Sequence, residues 1–373
     1  MFSSTVEQTI RLTYFHKANP LKIDFSNYPL RATKATLKYF VIVKSYLVMY
    51  IKTLSIALVL ALIVVALGAY TRLADAGLGC PDWPGCYGQL TVPDVADGTT
   101  IEGYERPVEA AKGWKEMVHR YAASTLGLLI VVLFFFAAFR KSPRPQSAVL
   151  PAFLVLLVIF QGALGMWTVT ELVHPGIVSM HLIGGFSTTC LLLWLLLNQQ
   201  PVSRYHQHIL KRHKLVLIIT VVLLSLQIFL GGWTSTNYAA LSCGEYFPTC
   251  LGEWWPAGMD FTNAFFWGPL GIDYEFGVLE HDSRSAIQML HRIGALVVTT
   301  AIVLLIASLK NYPGLKTNLI LMMVMLAIQV ALGILNVVLS LPIVIAVLHN
   351  AVALGLLLSL VALMHKVFRK TIN

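Results

Sequence analysis

Thr53–Thr71 reads TLSIALVLALIVVALGAYT, nineteen residues without a charge. A helix of that length, rising 1.5 Å per residue, crosses about 30 Å of hydrocarbon. A helix apolar on every side offers water no face, so it belongs in a bilayer or a buried core. Seven more predominantly apolar runs follow, at about 117–139, 147–170, 177–198, 215–234, 286–309, 317–340 and 342–364, the second, fourth and sixth spans carrying polar residues near their starts. Composition agrees. Of 373 residues 57% are apolar and 12% charged, against roughly 25% charged in soluble domains, and the mean hydropathy is +0.72. The formal net charge of +9 does not point to nucleic acid. Its basic residues are scattered through short loops between apolar runs rather than gathered on one face of a soluble fold.

Basic residues stay on the cytoplasmic side of a membrane. Arg140, Lys141 and Arg144 follow the second run; Arg204, Lys211, Arg212 and Lys214 follow the fourth; Lys310 and Lys316 follow the sixth; Lys366, Arg369 and Lys370 end the chain. Every acid except Glu7 and Asp24 falls in the alternate set of loops. Both termini are therefore expected inside and the long loops 72–116 and 235–285 outside. Residues 1–50 are basic and carry a modest apolar run interrupted by Lys44. They read as a non-essential cytoplasmic extension, with Met49 a candidate functional start; an interfacial helix or a cleaved transit peptide are the alternatives.

The chain repeats itself. Leu67-Gly68-Ala69-Tyr70-Thr71 with Cys80 downstream matches Leu230-Gly231-Gly232-Trp233-Thr234 with Cys243. Glu116-Met117-Val118-His119-Arg120 matches Gln288-Met289-Leu290-His291-Arg292, and Gln161-Gly162-Ala163-Leu164-Gly165 matches Gln329-Val330-Ala331-Leu332-Gly333. His181 pairs with His349 at the same 168-residue spacing as the last match. Four matches in one order define two halves, 51–200 and 201–373, of four spans each. The expected fold is all-α and integral to the membrane, eight transmembrane helices arranged as two tandem, pseudo-symmetric four-helix bundles.

His119, His181, His291 and His349 each lie in the first two turns of an even-numbered span, hence at one depth near the exterior face. Ionisable side chains inside spans face the bundle interior and mark function by default. Hydrogen-bonded core histidines are the bland alternative, weakened by the recurrence of all four at repeat positions. Two imidazoles per half suit axial ligation of haem, with zinc or copper open in principle. Ala123, Gly185, Ala295 and Ala353 at i+4, and Gly184 and Gly294 at i+3, leave room for a flat macrocycle beside each ring, although small residues also serve helix packing. His16, His206, His208, His213 and His365 read as solvated surface, while His174 and His281 lie in exterior loops.

Glu116 stands one turn before His119, where the second half has Gln288. The carboxylate can accept a proton or stabilise a developing cation, and the amide can do neither. One half is thus equipped for acid–base work and the other resembles a plain bis-imidazole cytochrome; an ordinary acid at a helix N-terminus is the alternative. Cys80 with Cys86, and Cys243 with Cys250, form two close pairs facing an oxidising compartment and read as disulfides. A structural staple and a redox role weigh equally for the first pair. Arg72, Arg120 and Arg292 are candidate partners for haem propionates, or simply interface anchors.

The run Gly68-Ala69-Tyr70-Thr71-Arg72-Leu73-Ala74-Asp75-Ala76-Gly77-Leu78-Gly79-Cys80-Pro81-Asp82-Trp83-Pro84-Gly85-Cys86, with Glu116–Arg120 downstream, resembles the haem A synthase family. The resemblance covers about residues 50–365. It implies oxidation of the C8 methyl of haem O to a formyl group by two hydroxylations and loss of water, giving haem A for cytochrome oxidase. It also implies substrate haem between His119 and His181, a permanent haem b between His291 and His349, and Glu116 as the essential acid. Haem O arriving from haem O synthase, an unidentified electron donor, cytochrome oxidase assembly factors and a homo-oligomer are the implied partners. The expected location is the bacterial inner membrane with the haem sites near the periplasm, the mitochondrial inner membrane being the alternative. The first 50 residues have no family counterpart, and loop 251–280 is longer than the family needs. A non-catalytic dihaem cytochrome b and a haem transporter or chaperone are the rival functions.

Overall fold

The computed structural model describes residues 34–139, 147–200 and 211–368. Most of the 1–50 extension, the basic residues Arg140, Lys141, Arg144, Arg204, Arg369 and Lys370, and His16, His206 and His208 lie outside that range. Two compact units are distinguished, Met1–Ser45 and Tyr46–Asn373; of the first, only the helical backbone from Lys34 onward is described.

Among the described residues eight long helices follow in order: α1 (Lys34–Leu73), α2 (Ala110–Ala138), α3 (Val149–Thr170), α4 (Pro175–Asn198), α5 (Lys211–Thr236), α6 (His281–Leu309), α7 (Lys316–Val338) and α8 (Ile343–Phe368). Each contains a segment long and apolar enough to cross a membrane. Ile56, Leu128, Leu156, Leu296 and Leu304 are all more than half exposed along these helices, side chains that lipid solvates and water would not. Among the described residues the only β pairings are isolated bridges, Cys86 with Gln89 and Cys250 with Glu253.

Hydropathy places the starts of α2 and α6 near 117 and 286; both helices begin earlier. The first two turns of α2 carry Lys112, Lys115 and Glu116, and α6 opens with Asp282. Such residues end an apolar run without ending a helix, because the backbone bonds continue and an acid in the first turn complements the helix dipole. Asp97 accepts a hydrogen bond from the first N–H of α2 at 2.8 Å. His119 and His291 consequently lie in the third helical turn, not the second.

The repeat is visible in the backbone. Asp75 and Tyr238, which end the turns after α1 and α5, are both left-handed, with φ of 47° and 52°. Leu172-Val173 between α3 and α4 and Ser340-Leu341 between α7 and α8 are left-handed pairs at matching positions. A proline follows closely in both places, Pro175 at the start of α4 and Pro342 just before α8, where its missing N–H costs nothing.

Two large apolar cores form among the spans. One joins Leu54 and Ala57 of α1, Ile130 and Leu133 of α2, Leu154 of α3, and Leu192 and Leu195 of α4. The other joins Leu217 and Leu224 of α5, Ile302 and Leu305 of α6, Met322 and Leu326 of α7, and Leu354 and Leu360 of α8, with Phe186 of α4 reaching into it. Helix α4 packs on both α5 and α8. At the end of the seam where α1 and α5 finish, repeat partners meet each other. The Arg72 guanidinium donates to the carbonyl of Ser235 at 2.6 Å, and the Tyr238 hydroxyl donates to Asp75 at 2.8 Å. Ser235 and Tyr238 stand in the second half where Arg72 and Asp75 stand in the first.

Candidate functional site

Each of the four histidines lies against a glycine of the preceding helix. A methyl group built on Gly68 would sit 2.9 Å from Cε1 of His119, one on Gly231 3.2 Å from that of His291, and one on Gly333 3.0 Å from that of His349. On Gly165 it would sit 3.6 Å from Cε1 of His181, an ordinary contact. These glycines belong to the repeat motifs themselves. Removing the Cβ lets a flat ring lie against the helix backbone, so the motif fixes where the imidazole goes.

The His119 and His181 rings come together with centroids 6.4 Å apart and planes at 83°. Two metal–imidazole bonds of about 2 Å, with each centroid roughly 1 Å from its nitrogens, sum to about 6 Å, so one metal ion can be held by both rings. Among the described residues no group of three or more His, Cys, Asp and Glu converges, whereas zinc sites draw three or four protein ligands. Nδ1 of His119, His181 and His349 is buried with no hydrogen-bond partner, as are Nε2 of Gln161, Oε1 of Gln329 and Oε1 of Gln227. Orphaned buried polar atoms are rare. The two facing rings suit bis-imidazole ligation of haem iron, which uses two ligands only.

The space beside Gly184 and Gly294 was expected to admit a macrocycle, and it holds glutamine amides. A Cβ on Gly184 would run into the amide of Gln161, and one on Gly294 into the amide of Gln227. The Gln227 amide nitrogen lies 3.0 Å from Nδ1 of His291 and 2.8 Å from its carbonyl. Gln329 Nε2 lies 3.2 Å from Nε2 of His349.

Glu116 is buried, and one carboxylate oxygen accepts the N–H of Cys80 at 2.9 Å while the other meets Arg120 at 2.5 Å. Gln288 copies half of this arrangement. Its amide oxygen accepts the N–H of Cys243 at 2.6 Å, and its nitrogen donates to the carbonyl of Ala240 at 2.6 Å. The two side chains thus share a structural task, clasping the cysteine loop onto the helix, and differ in charge. Both expected disulfides form, Cys80–Cys86 and Cys243–Cys250. Each closes a short loop finished by the two-residue turn at Gln89 or Glu253.

The three arginines part company. Arg72 is held in the seam by Asp75, Ser235 and the Tyr238 ring, 4.2 Å beneath its guanidinium carbon. Arg120 bonds Glu116 and the carbonyls of Asp82 and Gly85. Arg292 bonds the carbonyls of Pro248 and Thr249, but its Nε and Nη2 are buried without partners, which makes it the one of the three with unused donors aimed into the protein.

The other histidines are structural where the structure describes them in contacts. His174 caps α4, accepting the N–H of Gly176 at 3.2 Å, and packs on Trp267 and Tyr274. His213 and His365 are buried, not solvated. His213 meets the Tyr312 hydroxyl at 3.3 Å and His365 meets Asn198 at 2.9 Å; their basic neighbours had disguised positions facing inward. At the same end of the helices, Arg106 of the first long loop bridges to Asp273 and Glu275 of the second, each at 2.6 Å. Hydrogen bonds from the Asn263 side chain and from backbone amides hold the Asp260 carboxyl below its ordinary value. Asp260 also accepts from Ser283 at 3.3 Å, tying the second loop to α6.

A family model of cytochrome oxidase assembly proteins, COX15-CtaA, matches residues 52–361. The chain belongs to the COX15-CtaA family. Within this family it is 44% identical to the heme A synthase of Shewanella oneidensis, over 85% of this chain and 96% of that one. It is 28% identical to the heme A synthase of Sinorhizobium fredii, over 82% and 86% of the two chains, and 26% identical to that of Shouchella clausii, over 67% and 73%. The COX15-CtaA match takes in all four histidines, Glu116 and both disulfides, and begins after the expected extension.

Proposed function

We propose that the chain is an oxidoreductase that converts haem O to haem A, oxidising the C8 methyl to a formyl group. The observation that carries this reading is the His119–His181 pair, spaced at 6.4 Å for one bis-imidazole metal, with the buried carboxylate of Glu116 one turn away. The naming of the Shewanella relative as a heme A synthase supports it. In this reading residues 51–200 form the substrate half and 201–373 the electron-transfer half. His119 and His181 hold the iron of the substrate. His291 and His349 would hold a resident haem b, which would supply one-electron transfer, and Arg292 would offer its unpartnered N–H groups to a propionate.

The chain's own contribution to the chemistry lies at Glu116. Arg120 keeps the carboxylate company in a buried place, so it can take a proton from the substrate methyl's hydroxylated forms or stabilise positive charge there. The same ion pair leaves Arg120 less free to bind a propionate than Arg292. Gln288 keeps the fold of the corresponding loop and withholds that chemistry from the second half. Exterior loops closed by the two disulfides and joined by Arg106 shield the rings from water. The membrane is the bacterial inner membrane, with the haem sites towards the periplasm and both termini cytoplasmic. Haem O comes from the synthase that makes it, and the product goes to cytochrome oxidase and its assembly factors.

The test is to express the protein in a host that makes haem O and lacks haem A, then extract pigments. A formyl-bearing haem by mass supports the reading. Haem O alone, with bound haem in the purified protein, makes the chain a carrier cytochrome or a haem transporter instead.

A further inference from the structure

Gln161 lies on α3 one turn before Gly165, the glycine against which the His181 ring rests. Its amide crosses to α4 and lies on Gly184, three residues past His181. At 1.5 Å per residue that is about 4.5 Å further along α4, towards the middle of the membrane. Gln161 is buried, and its Nε2 has no hydrogen-bond partner. The repeat puts Gln329 and Val352 at the same two places in the second half. Valine leaves no such seat for an amide, and Gln329 meets its histidine instead, Nε2 to Nε2 at 3.2 Å. Gln227, the third amide beside a ring, is likewise spent on a histidine, at Nδ1 and the carbonyl of His291. Of the three, Gln161 alone has an amide nitrogen with nothing to bond. Burying such a donor costs free energy that a partner returns.

We infer that Gln161 is a specificity-determining residue of the first-half site, its amide bonding the hydroxyl group that haem O carries and haem b lacks. The inference rests on reading the chain as an enzyme that oxidises haem O, with the substrate iron between His119 and His181. Those rings face each other from α2 and α4, so the line between them crosses the bundle and a macrocycle held by both stands on edge. Its propionates are charged and belong at the polar end, beside the loops. The opposite edge is directed along α4 towards Gly184. On that edge haem O has a hydroxyl and an isoprenoid chain in place of one vinyl group of haem b. A hydroxyl both donates and accepts, so it satisfies the amide whichever way the amide is turned. Val352 offers no such bond in the second half. A site that buries a hydrogen-bonding group discriminates against the analogue that leaves it unpaired.

The experiment titrates full-length protein, purified in detergent, with haem O, haem b and haematohaem, which has hydroxyethyl groups in place of both vinyls and no isoprenoid chain. Absorbance reads the affinities in wild type, Gln161→Leu, Gly184→Val and His181→Ala. Gln161→Leu removes the amide at nearly constant volume, and Gly184→Val copies the second half and evicts the amide from its seat. In both variants the affinities of haem O and haematohaem relative to haem b are expected to fall about 2- to 12-fold, the worth of one neutral hydrogen bond, with haem b bound as in wild type. An unchanged ratio in either variant, equal weakening of all three haems, or a fall for haem O without one for haematohaem assigns the side chain to packing and overturns the inference. If Gly184→Val binds none of the three, the Gln161→Leu ratios decide alone. Haem O bound by His181→Ala as tightly as by wild type overturns the ligand reading beneath the inference instead.

Discussion

Replacing Gly68 by alanine tests whether the repeat glycines set the histidine rings, and Gly165→Ala is its internal control. The added methyl meets Cε1 of His119 at 2.9 Å in the first case and Cε1 of His181 at 3.6 Å in the second. Carbon atoms rest at about 3.5–4.0 Å, so the His119 ring must retreat by roughly 0.6 Å or more, whereas the His181 ring need not move. Metal–ligand distances tolerate about 0.2 Å. Overpacking costs about 1–3 kcal/mol, which at 1.4 kcal/mol per tenfold is a loss of roughly 5- to 150-fold in haem affinity. The helix preference for alanine over glycine, about 1 kcal/mol in water, applies to both variants, so their difference isolates the ring contact. Haem O titrated into purified protein, followed by absorbance, measures the affinities. Weak binding by Gly68→Ala beside near-normal binding by Gly165→Ala is expected. Equal affinities would refute the idea that this contact places the ring.

Glu116→Gln copies the second half. The bond from the Cys80 N–H should survive, as it does at Gln288 and Cys243, so folding and second-half haem stay intact while haem A output falls about 10²- to 10⁴-fold, read by mass spectrometry of extracted pigments. Reducing either disulfide opens a loop spanning only 6 or 7 residues of separation and should cost about 2–3 kcal/mol, seen as a lower thermal transition with reductant. Arg106→Ala removes both bridges between the two long loops; its partly exposed ion pairs are worth about 1 kcal/mol or less each, so global stability should barely change while protease cuts the 251–280 loop faster. Asp260 has its folded value depressed below the ordinary 3.8, so its stabilisation of that loop is fully present above the ordinary value. It is lost as pH falls through the lower folded value, and amide exchange at residues 262 and 263 should accelerate only in that acid range.

The span count, the repeat and the disulfides were legible because each rests on short-range chemistry: apolar length, matched motifs and paired thiols. The four histidines stood out for the same reason, being polar groups in runs that otherwise exclude them. What the sequence concealed depends on contacts between helices. Gly68, Gly165, Gly231 and Gly333 were visible as repeat markers, but their role as ring seats needs the facing helix. Gln227 differs from its counterpart Val64, a contrast of the same kind that drew attention to Glu116 and Gln288, yet only the packing of α5 on α6 gives it a partner. Arg72 looked free at a span end, and it is spent on Ser235, a residue 163 positions away. Helices α2 and α6 begin above their apolar runs because hydropathy reports the bilayer boundary and not the end of backbone hydrogen bonding.

The central claim is that paired imidazoles grip iron in both halves. The most direct measurement is the absorption spectrum and extracted haem content of purified protein, wild type against His119→Ala, His181→Ala, His291→Ala and His349→Ala. Low-spin haem in the wild type is expected, lost from the second half with His291→Ala or His349→Ala, while His119→Ala or His181→Ala abolishes binding of added haem O alone. A colourless wild-type protein that takes up no haem O, or four variants indistinguishable from it, would contradict the account.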